Sequence, residues 1–170
     1  LGYDITGLIT GLGIGGVAIA LAAKDTASNI IGAVMIILDK PFELGDWVSI
    51  GSTEGSIEEF TFRSTRIRES KNCVVSIPNS TIIDSPITNW SRLQKRRIAV
   101  DLILEFDTPL KKVADVQNDI LIYLENEPNI LNDGLYVKFN EIKDDGYNLK
   151  VFCYTPIINY VDYMGFLDTF

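Results

Sequence analysis

The chain has 170 residues, of which 46% are hydrophobic, and a net charge of −8. The acidic balance argues against nucleic acid as the main partner, because binding phosphates needs a basic surface. The chain contains no histidine, which removes the commonest general base and the commonest metal ligand. We therefore predict a protein that is not an enzyme, with no catalytic residues, no metal site and no cofactor. The two cysteines, Cys73 and Cys153, lie too far apart for a metal-binding motif, and we predict that both are small buried residues in strands.

The hydrophobic residues are concentrated near the start of the chain. Nineteen uncharged residues lie between Asp4 and Lys24, and thirteen more run from residue 26 to residue 38. About 20 apolar residues are enough to cross a bilayer as a helix. We predict a membrane-spanning helix over residues 5–38, broken near Lys24 and Asp25, where Asp25 can cap a second segment. A buried core helix is the alternative, and a signal peptide is disfavoured because the apolar run resumes after Lys24.

The middle of the chain has the pattern of short strands. Four runs are rich in β-branched and aromatic residues and are separated by glycine-containing turns. We predict a small barrel or sandwich, closed by a turn at Pro78 and Asn79. The predicted strands are WVSI (47–50), SIEEFTF (56–62), TRIRE (65–69) and CVVSI (73–77).

The last part of the chain alternates between strands and helices. We predict a strand over 96–106, an amphipathic helix from Pro109 to Asn126 and two strands over 135–142 and 148–154. A turn with sequence DDG (144–146) joins those two strands, and a second helix begins at residue 159. The order β-α-β-β-α suggests a ferredoxin-like α+β sandwich. The abrupt ends at residues 1 and 170 suggest a piece of a longer protein.

Residues 11–16 read GLGIGG, which matches the dinucleotide-binding pattern G-x-G-x-x-G. Asp39 even falls near the spacing of the acidic residue that such sites use. However, no clear strand precedes the glycines, the helix after them is apolar on all faces, and a β-rich region follows it. A dinucleotide site needs a βαβ unit with a helix that has one polar side, so we predict that the glycines are helical.

At 100° per residue, the small residues form two stripes along this helix. Between the stripes, Val17, Leu21 and Lys24 align at positions i, i+4 and i+7. Small residues allow close helix packing in membranes, so the pattern suits a ring of identical helices with Val17 and Leu21 facing the axis. A simple tightly packed helix pair would also favour small residues. One stripe holds Gly11, Gly15, Ala18 and Ala22, and the other holds Gly13, Gly16 and Ala20.

Several ordered motifs resemble the small-conductance mechanosensitive channel (MscS) family. They are the run from GGVAIALAAKD to FELGDWVSI (15–50), then RSTRIR (63–68), VVSIPNS (74–80) and ITNWSR (87–92). The resemblance covers essentially the whole chain. It implies a membrane protein of α+β class, with a pore-lining transmembrane helix at 1–40, a middle Sm-like β barrel at 41–91 and an incomplete ferredoxin-like α/β cage domain at 92–170.

The resemblance also implies a function. Family members are homo-heptameric channels that open under membrane tension and release ions and small osmolytes on hypo-osmotic shock. The implied partners are further copies of the chain, membrane lipids and the permeating solutes, with no nucleic acid. The implied location is the bacterial inner membrane, with an organelle membrane as the alternative, and the implied topology is multi-pass with residues 41–170 in the cytoplasm.

Individual positions follow from the match. Val17 and Leu21 correspond to the rings that close the pore, and Asn29 corresponds to a polar position just after the helix break at Lys24 and Asp25, near the cytoplasmic mouth. The residues that correspond to pore-helix packing positions are Gly13, Gly16, Ala18 and Ala20. The chain departs from well-known members in having Ala20 and Asp25 in place of glycine, and valine in place of leucine at position 17.

Two further observations concern the soluble part. Basic clusters at residues 63–68 and 92–97 are interpreted mainly as salt bridges and subunit contacts, with a lipid or RNA role as the minor alternative. Residues 101–147 hold eleven acidic residues against four lysines, which could weakly enrich cations in a cage. A non-conducting, membrane-anchored scaffold or RNA-binding Sm-like module remains the alternative to a channel.

Overall fold

The computed structural model describes residues 5–169. Residues 1–4 of the predicted pore-helix segment and residue 170 of the predicted last helix therefore lie outside the described residues. The chain divides into two compact units, one up to Arg92 and one from Leu93 onward. Both combine helices with antiparallel sheets, which agrees with the predicted α+β class.

The first unit begins with one long helix, α1 (Ile5–Asp39). It is the one helix among the described residues that is long and apolar enough to span a membrane. The predicted break near Lys24 and Asp25 is wrong, because helical hydrogen bonding continues through both residues. Neither residue is a glycine or proline, and an aspartate caps a helix only where the preceding chain has left the helical conformation.

The five-stranded sheet of the first unit follows α1. Its strands lie in the order β4-β3-β2-β1-β5, and all neighbouring pairs are antiparallel. The core of this unit combines Ile36 and Phe42 with residues of the sheet and Ile82. The C-terminal end of α1 is therefore anchored in the core of this unit. The strands are β1 (Trp47–Ile50), β2 (Thr53–Phe60), β3 (Ser64–Glu69), β4 (Val74–Pro78) and β5 (Ile87–Asn89).

Two elements of this unit differ from the sequence analysis. The predicted turn at Pro78 and Asn79 is instead the start of a one-turn helix, α2 (Asn79–Ile83), with Pro78 in the N-cap position. Strand β5 and the 3-10 helix Trp90–Arg92 were not predicted. Segments of three to five residues are too short to show a hydrophobic period, and tertiary contacts decide their conformation.

The second unit contains the predicted order β-α-β-β-α. Its three antiparallel strands lie in the order β6-β8-β7. Residues Ile98, Val137 and Val151 on one face of the sheet form a core with Leu124 of α3, and Phe166 and Leu167 of α4 pack against it. The elements are β6 (Arg96–Leu104), α3 (Leu110–Asn126), β7 (Leu131–Lys143), β8 (Gly146–Thr155) and α4 (Tyr160–Thr169).

Candidate pore helix and its anchor in the β domain

Between Gly11 and Ala27, α1 is not covered by any other part of the chain that the structure describes. Every side chain from Gly11 to Ala27 is exposed. Val17 and Leu21 are 61% and 69% exposed although both are apolar. Exposed apolar surface of this extent indicates lipid or another protein chain as its environment.

The glycines in this half are helical. Gly11, Gly13, Gly15 and Gly16 all lie inside α1, so the G-x-G-x-x-G pattern does not form a phosphate-binding loop. A Cβ atom added at any of these four positions would meet nothing within 4 Å. Their small size therefore serves no contact within the described part of this chain, and it leaves room for the close approach of another helix.

The unbroken helix fixes the relative directions of the predicted site residues. At about 100° per residue, Val17, Leu21 and Lys24 fall within roughly 60° of each other. Gly13 and Ala20 lie on one side of that face, and Gly16 lies further round on the same side. Ala18 lies on the other side, together with Asp25.

The charged pair near the middle of α1 is exposed. No hydrogen bond or ion pair of the Lys24 or Asp25 side chain is found among residues 5–169. The backbone of Asp25 is occupied, because its carbonyl oxygen accepts a hydrogen bond from Asn29 Nδ2 at 2.8 Å, one turn later in the helix.

Asn29 connects α1 to α2 through side-chain hydrogen bonds. Its side chain is buried, with 8% exposure, and its Oδ1 accepts hydrogen bonds from Ser80 N and from Ser80 Oγ, both at 3.0 Å. One amide group thus bonds to the backbone of its own helix and to the first turn of α2. Burying an amide is costly unless its hydrogen bonds are made, so these contacts fix how α1 is rotated relative to the β domain.

Close packing of the α1 and α2 backbones at Gly32 also holds the two helices together. A Cβ atom at Gly32 would lie 2.8 Å from the carbonyl carbon of Asn79 and 3.0 Å from Ser80 N. Asn79 is itself fully buried. Its Oδ1 accepts a hydrogen bond from Thr65 Oγ1 at 3.0 Å, and its Nδ2 donates to Thr61 O at 2.8 Å.

Asn29 was predicted as a site residue from the sequence, but its hydrogen-bond partners were not. Gly32, Asn79 and Ser80 were not assigned a role, and Asn79 was interpreted as part of a turn. The sequence signal for Gly32 is a single glycine in the apolar run IIGAVMIIL (30–38), since an isolated glycine within a helix often marks a close packing contact.

The basic clusters of the soluble part are largely occupied within each unit. Arg66 pairs with Glu59 and Arg68 pairs with Glu58, each at 2.6 Å. Lys95 pairs with Asp133, whose pKa is lowered by the hydrogen bond and the charge of that lysine. Three of the seven basic residues in the two clusters therefore form salt bridges, as predicted for the clusters, while the predicted subunit contacts stay a prediction.

The two cysteines have different environments. Cys153 lies buried in β8 as predicted, and burial raises its pKa. The prediction for Cys73 is wrong, because this residue is exposed and precedes β4. Its thiol donates a hydrogen bond to Glu69 Oε2 at 3.0 Å, which raises the pKa of Cys73. Residues 5–169 contain no group of three or more potential metal ligands.

Family models match two segments of the chain. Residues 1–24 match transmembrane helices 2/3 of mechanosensitive ion channels, and residues 25–92 match the β-domain of these channels. Together the two segments cover more than half of the chain.

Individual proteins match over most of the chain. An uncharacterised MscS family protein of Bacillus subtilis is 41% identical over 90% of this chain and 41% of its own length. The small-conductance mechanosensitive channel MscMJ of Methanocaldococcus jannaschii is 39% identical over 99% of this chain and 48% of its own length. The chain thus spans less than half the length of these relatives.

Solved structures share the fold. Arabidopsis thaliana MSL1 superposes with a TM-score of 0.90 at 24% identity, over 98% of this chain and 61% of that chain. The closed state of Helicobacter pylori MscS gives a TM-score of 0.79 at 24% identity, over 99% of this chain and 66% of that chain. Together with the two family models and the relatives, this fold places the chain in the MscS family, a family of mechanosensitive membrane channels and not of enzymes.

Proposed function

We propose that the full-length protein is a mechanosensitive ion channel that opens under membrane tension and releases ions and small osmolytes on hypo-osmotic shock. The observation that carries this proposal is the exposed apolar face of Val17 and Leu21 on an unbroken helix with small residues on both flanks. The names of relatives such as MscMJ support the same activity.

The proposed assembly is a homo-oligomer, with seven copies as the family resemblance implies. Copies of α1 arranged around an axis bring the flank of Gly13, Gly16 and Ala20 against the Ala18 flank of the next copy. Outside the helix's own backbone, no described residue approaches the Cβ positions of Gly13 and Gly16 within 4 Å, which leaves space for that neighbour. Small residues at such contacts permit close packing where no hydrophobic effect drives helices together.

The proposed gate works by excluding water. Rings of Val17 and Leu21 make a narrow apolar constriction, and a constriction of this kind blocks ions by dewetting, without a solid plug. Tension favours the state that occupies more membrane area. Tilting the helices apart along their small-residue flanks widens the rings and wets the pore.

The proposed architecture around the pore follows from strand order. In the first unit, the order β4-β3-β2-β1-β5 is the arrangement expected of an Sm-like barrel. In the second unit, the order first-third-second, with α3 and α4 against one sheet face, is expected of a ferredoxin-like cage domain. We assign these to the domains 41–91 and 92–170, on the cytoplasmic side of the bacterial inner membrane. The pore-helix segment is 1–40, and the full-length protein is multi-pass and in contact with lipids.

The test uses the full-length protein in liposomes, with suction applied to excised patches. Discrete currents should appear with suction and vanish without it. Val17→Asn and Leu21→Asn should lower the opening threshold or cause leak, because an amide in the constriction holds water. Ile19→Asn is the matched control, because Ile19 is about as exposed as Val17 and Leu21 but points away from the Val17 face. This variant should leave the opening threshold unchanged.

Two outcomes would contradict parts of the proposal. Normal thresholds in both gate variants would show that Val17 and Leu21 do not close the pore. Silence of the wild-type protein up to patch rupture would reject tension gating and favour a membrane-anchored scaffold.

A further inference from the structure

The charge next to the proposed gate suggests which ions the channel passes. Lys24 follows Leu21 by three residues, so its Cα lies about 4.5 Å further along the helix axis. Because α1 is continuous through this point, Lys24 stays on the face of Val17 and Leu21. A break before Lys24 would have removed that relation.

The rotation of this turn is fixed by the soluble part. Asn29 bonds to Ser80, and Gly32 packs on the backbone of Asn79, so these residues define the side of α1 that faces the β domain. Lys24 precedes Asn29 by five residues and therefore lies about 140° away from it. Its ammonium group points away from the chain's own β domain.

No acidic side chain neutralises this ammonium within residues 5–169. Asp25, the adjacent acid, lies about 100° further round the helix, on the Ala18 flank. Its carbonyl oxygen holds Asn29 Nδ2, while its carboxylate has no partner among those residues. In an assembly, the lysine therefore faces the axis and the aspartate faces the neighbouring helix.

We infer that Lys24 is a selectivity-determining residue that makes the pore favour anions over potassium, a step that rests on the proposed channel function. A ring of lysines one turn from an apolar constriction acts on every ion that passes. Rings of basic side chains select anions, and a narrow low-dielectric passage focuses their field. The favoured solutes are small anions, with chloride as the simplest probe.

The experiment measures the reversal potential of suction-activated currents of the full-length protein under a steep KCl gradient. Wild type and Lys24→Arg should reverse toward the chloride equilibrium potential. Lys24→Glu should move the reversal potential toward that of potassium, a several-fold fall in the chloride-to-potassium permeability ratio. Lys71→Glu makes the same charge change on an exposed turn outside α1 and should have no effect. The shift should shrink at high salt because ions screen the ring.

A second measurement does not depend on how Lys24→Glu folds. Lys24→Cys, in a background with all other cysteines replaced, is modified in open patches with a cationic or an anionic thiosulfonate. The cationic reagent should shift the reversal potential toward chloride and the anionic reagent toward potassium. Suction-activated currents whose reversal potential is the same after both reagents would overturn the inference while leaving the channel function intact. Absence of suction-activated current in the wild type would instead reject the channel function itself.

Discussion

At the scale of single residues, the best-defined contacts are those that hold α1 on α2. Asn29 accepts two hydrogen bonds from Ser80 and donates one to Asp25 O. Gly32 lets the backbones meet without a side chain between them. Both residues make these contacts within one chain, so their effects can be separated from those of the proposed gate.

Asn29→Ala should destabilise the junction. The substitution leaves the half-buried Ser80 N–H without its acceptor, and a buried donor without a partner costs about 1–3 kcal/mol. Asn126→Ala is the matched control, because Asn126 Nδ2 makes the same type of bond to Ile122 O, one turn earlier, on an exposed surface. Amide exchange at Ser80 should accelerate in the first variant only. Equal exchange in both would show that the Asn29 bonds do not hold α2.

Gly32→Ala should also weaken the junction. The new Cβ would meet backbone atoms of Asn79 at 2.8 and 2.9 Å, and backbone cannot move aside as a side-chain tip can. Overpacking of this kind costs about 1–3 kcal/mol, measurable as a lower melting temperature of the full-length protein in detergent. Gly165→Ala, at a helical glycine with no atom within 4 Å, should be neutral or slightly stabilising. A Gly32→Ala protein as stable as wild type would contradict the tight contact.

Cys73 should react slowly with alkylating reagents at neutral pH. Its pKa is raised mainly by the hydrogen bond to Glu69, so less of the reactive thiolate is present. Glu69→Gln removes the negative charge, lowers the pKa of Cys73 toward its usual range and should accelerate alkylation. The buried Cys153 should remain unmodified in both folded proteins and serves as the internal control. Unchanged alkylation of Cys73 in Glu69→Gln would rule out control by Glu69.

At the scale of elements, the continuity of α1 is the feature that links the proposed gate face to the anchored end. The helix carries the Val17 face through Lys24 and on to Asn29 as one rod. A rod of this kind transmits rotation, whereas a broken helix would let its two halves turn independently.

Asp25→Gly should loosen this rod. Glycine costs a helix interior about 1 kcal/mol relative to alanine, and aspartate costs up to about 0.7 kcal/mol. The amides of residue 29 and the next turn should therefore exchange a few-fold faster in Asp25→Gly than in Asp25→Ala, with the wild type between the two. If Asp25→Gly left exchange unaltered, the neighbouring contacts and not the local propensity would hold the helix together.

Sequence patterns predicted the long elements well and the short ones poorly. Helix α3 and strand β3 lie where their patterns placed them. The four-residue strand β1 was also found although it is short, because its bulky residues are flanked by turn signals. The break at Asp25 was wrong because the chain resembles proteins with glycine there, and an aspartate does not weaken a helix in the same way. Helix α2 was missed because its first residue, Asn79, is held by Thr65 and Thr61, which are distant in sequence.

In the candidate site, too, the sequence pattern predicted what a helical period determines but not the contacts between residues distant in the chain. Spacing alone put Val17, Leu21 and Lys24 on one face, since a helix repeats at a fixed angle. The contact of Gly32 with Asn79 joins residues far apart in the chain, and no period encodes it.

At the scale of the whole molecule, the proposed pore face and the second unit carry charges of opposite sign. Residues 101–147 carry eleven acidic residues against four lysines, whereas the proposed pore face carries Lys24. Asp144 and Asp145 form the turn between β7 and β8, as expected for a two-residue hairpin connection. In the proposed cage this surface borders a wide aqueous space, where charges are screened within about 8 Å at physiological salt.

Replacing Asp144 and Asp145 together by lysine should therefore shift the reversal potential much less than Lys24→Glu does. A charge ring in a narrow passage acts on each ion at close range, and its field is focused by the low-dielectric wall. Charges on a wide chamber reach ions only through screened solvent. Both variants are measured in the same KCl gradient, with the threshold under suction as a check that gating is intact. A larger shift in reversal potential from the Asp144 and Asp145 replacement than from Lys24→Glu would show that the proposed cage, and not the pore helix, determines ion selectivity.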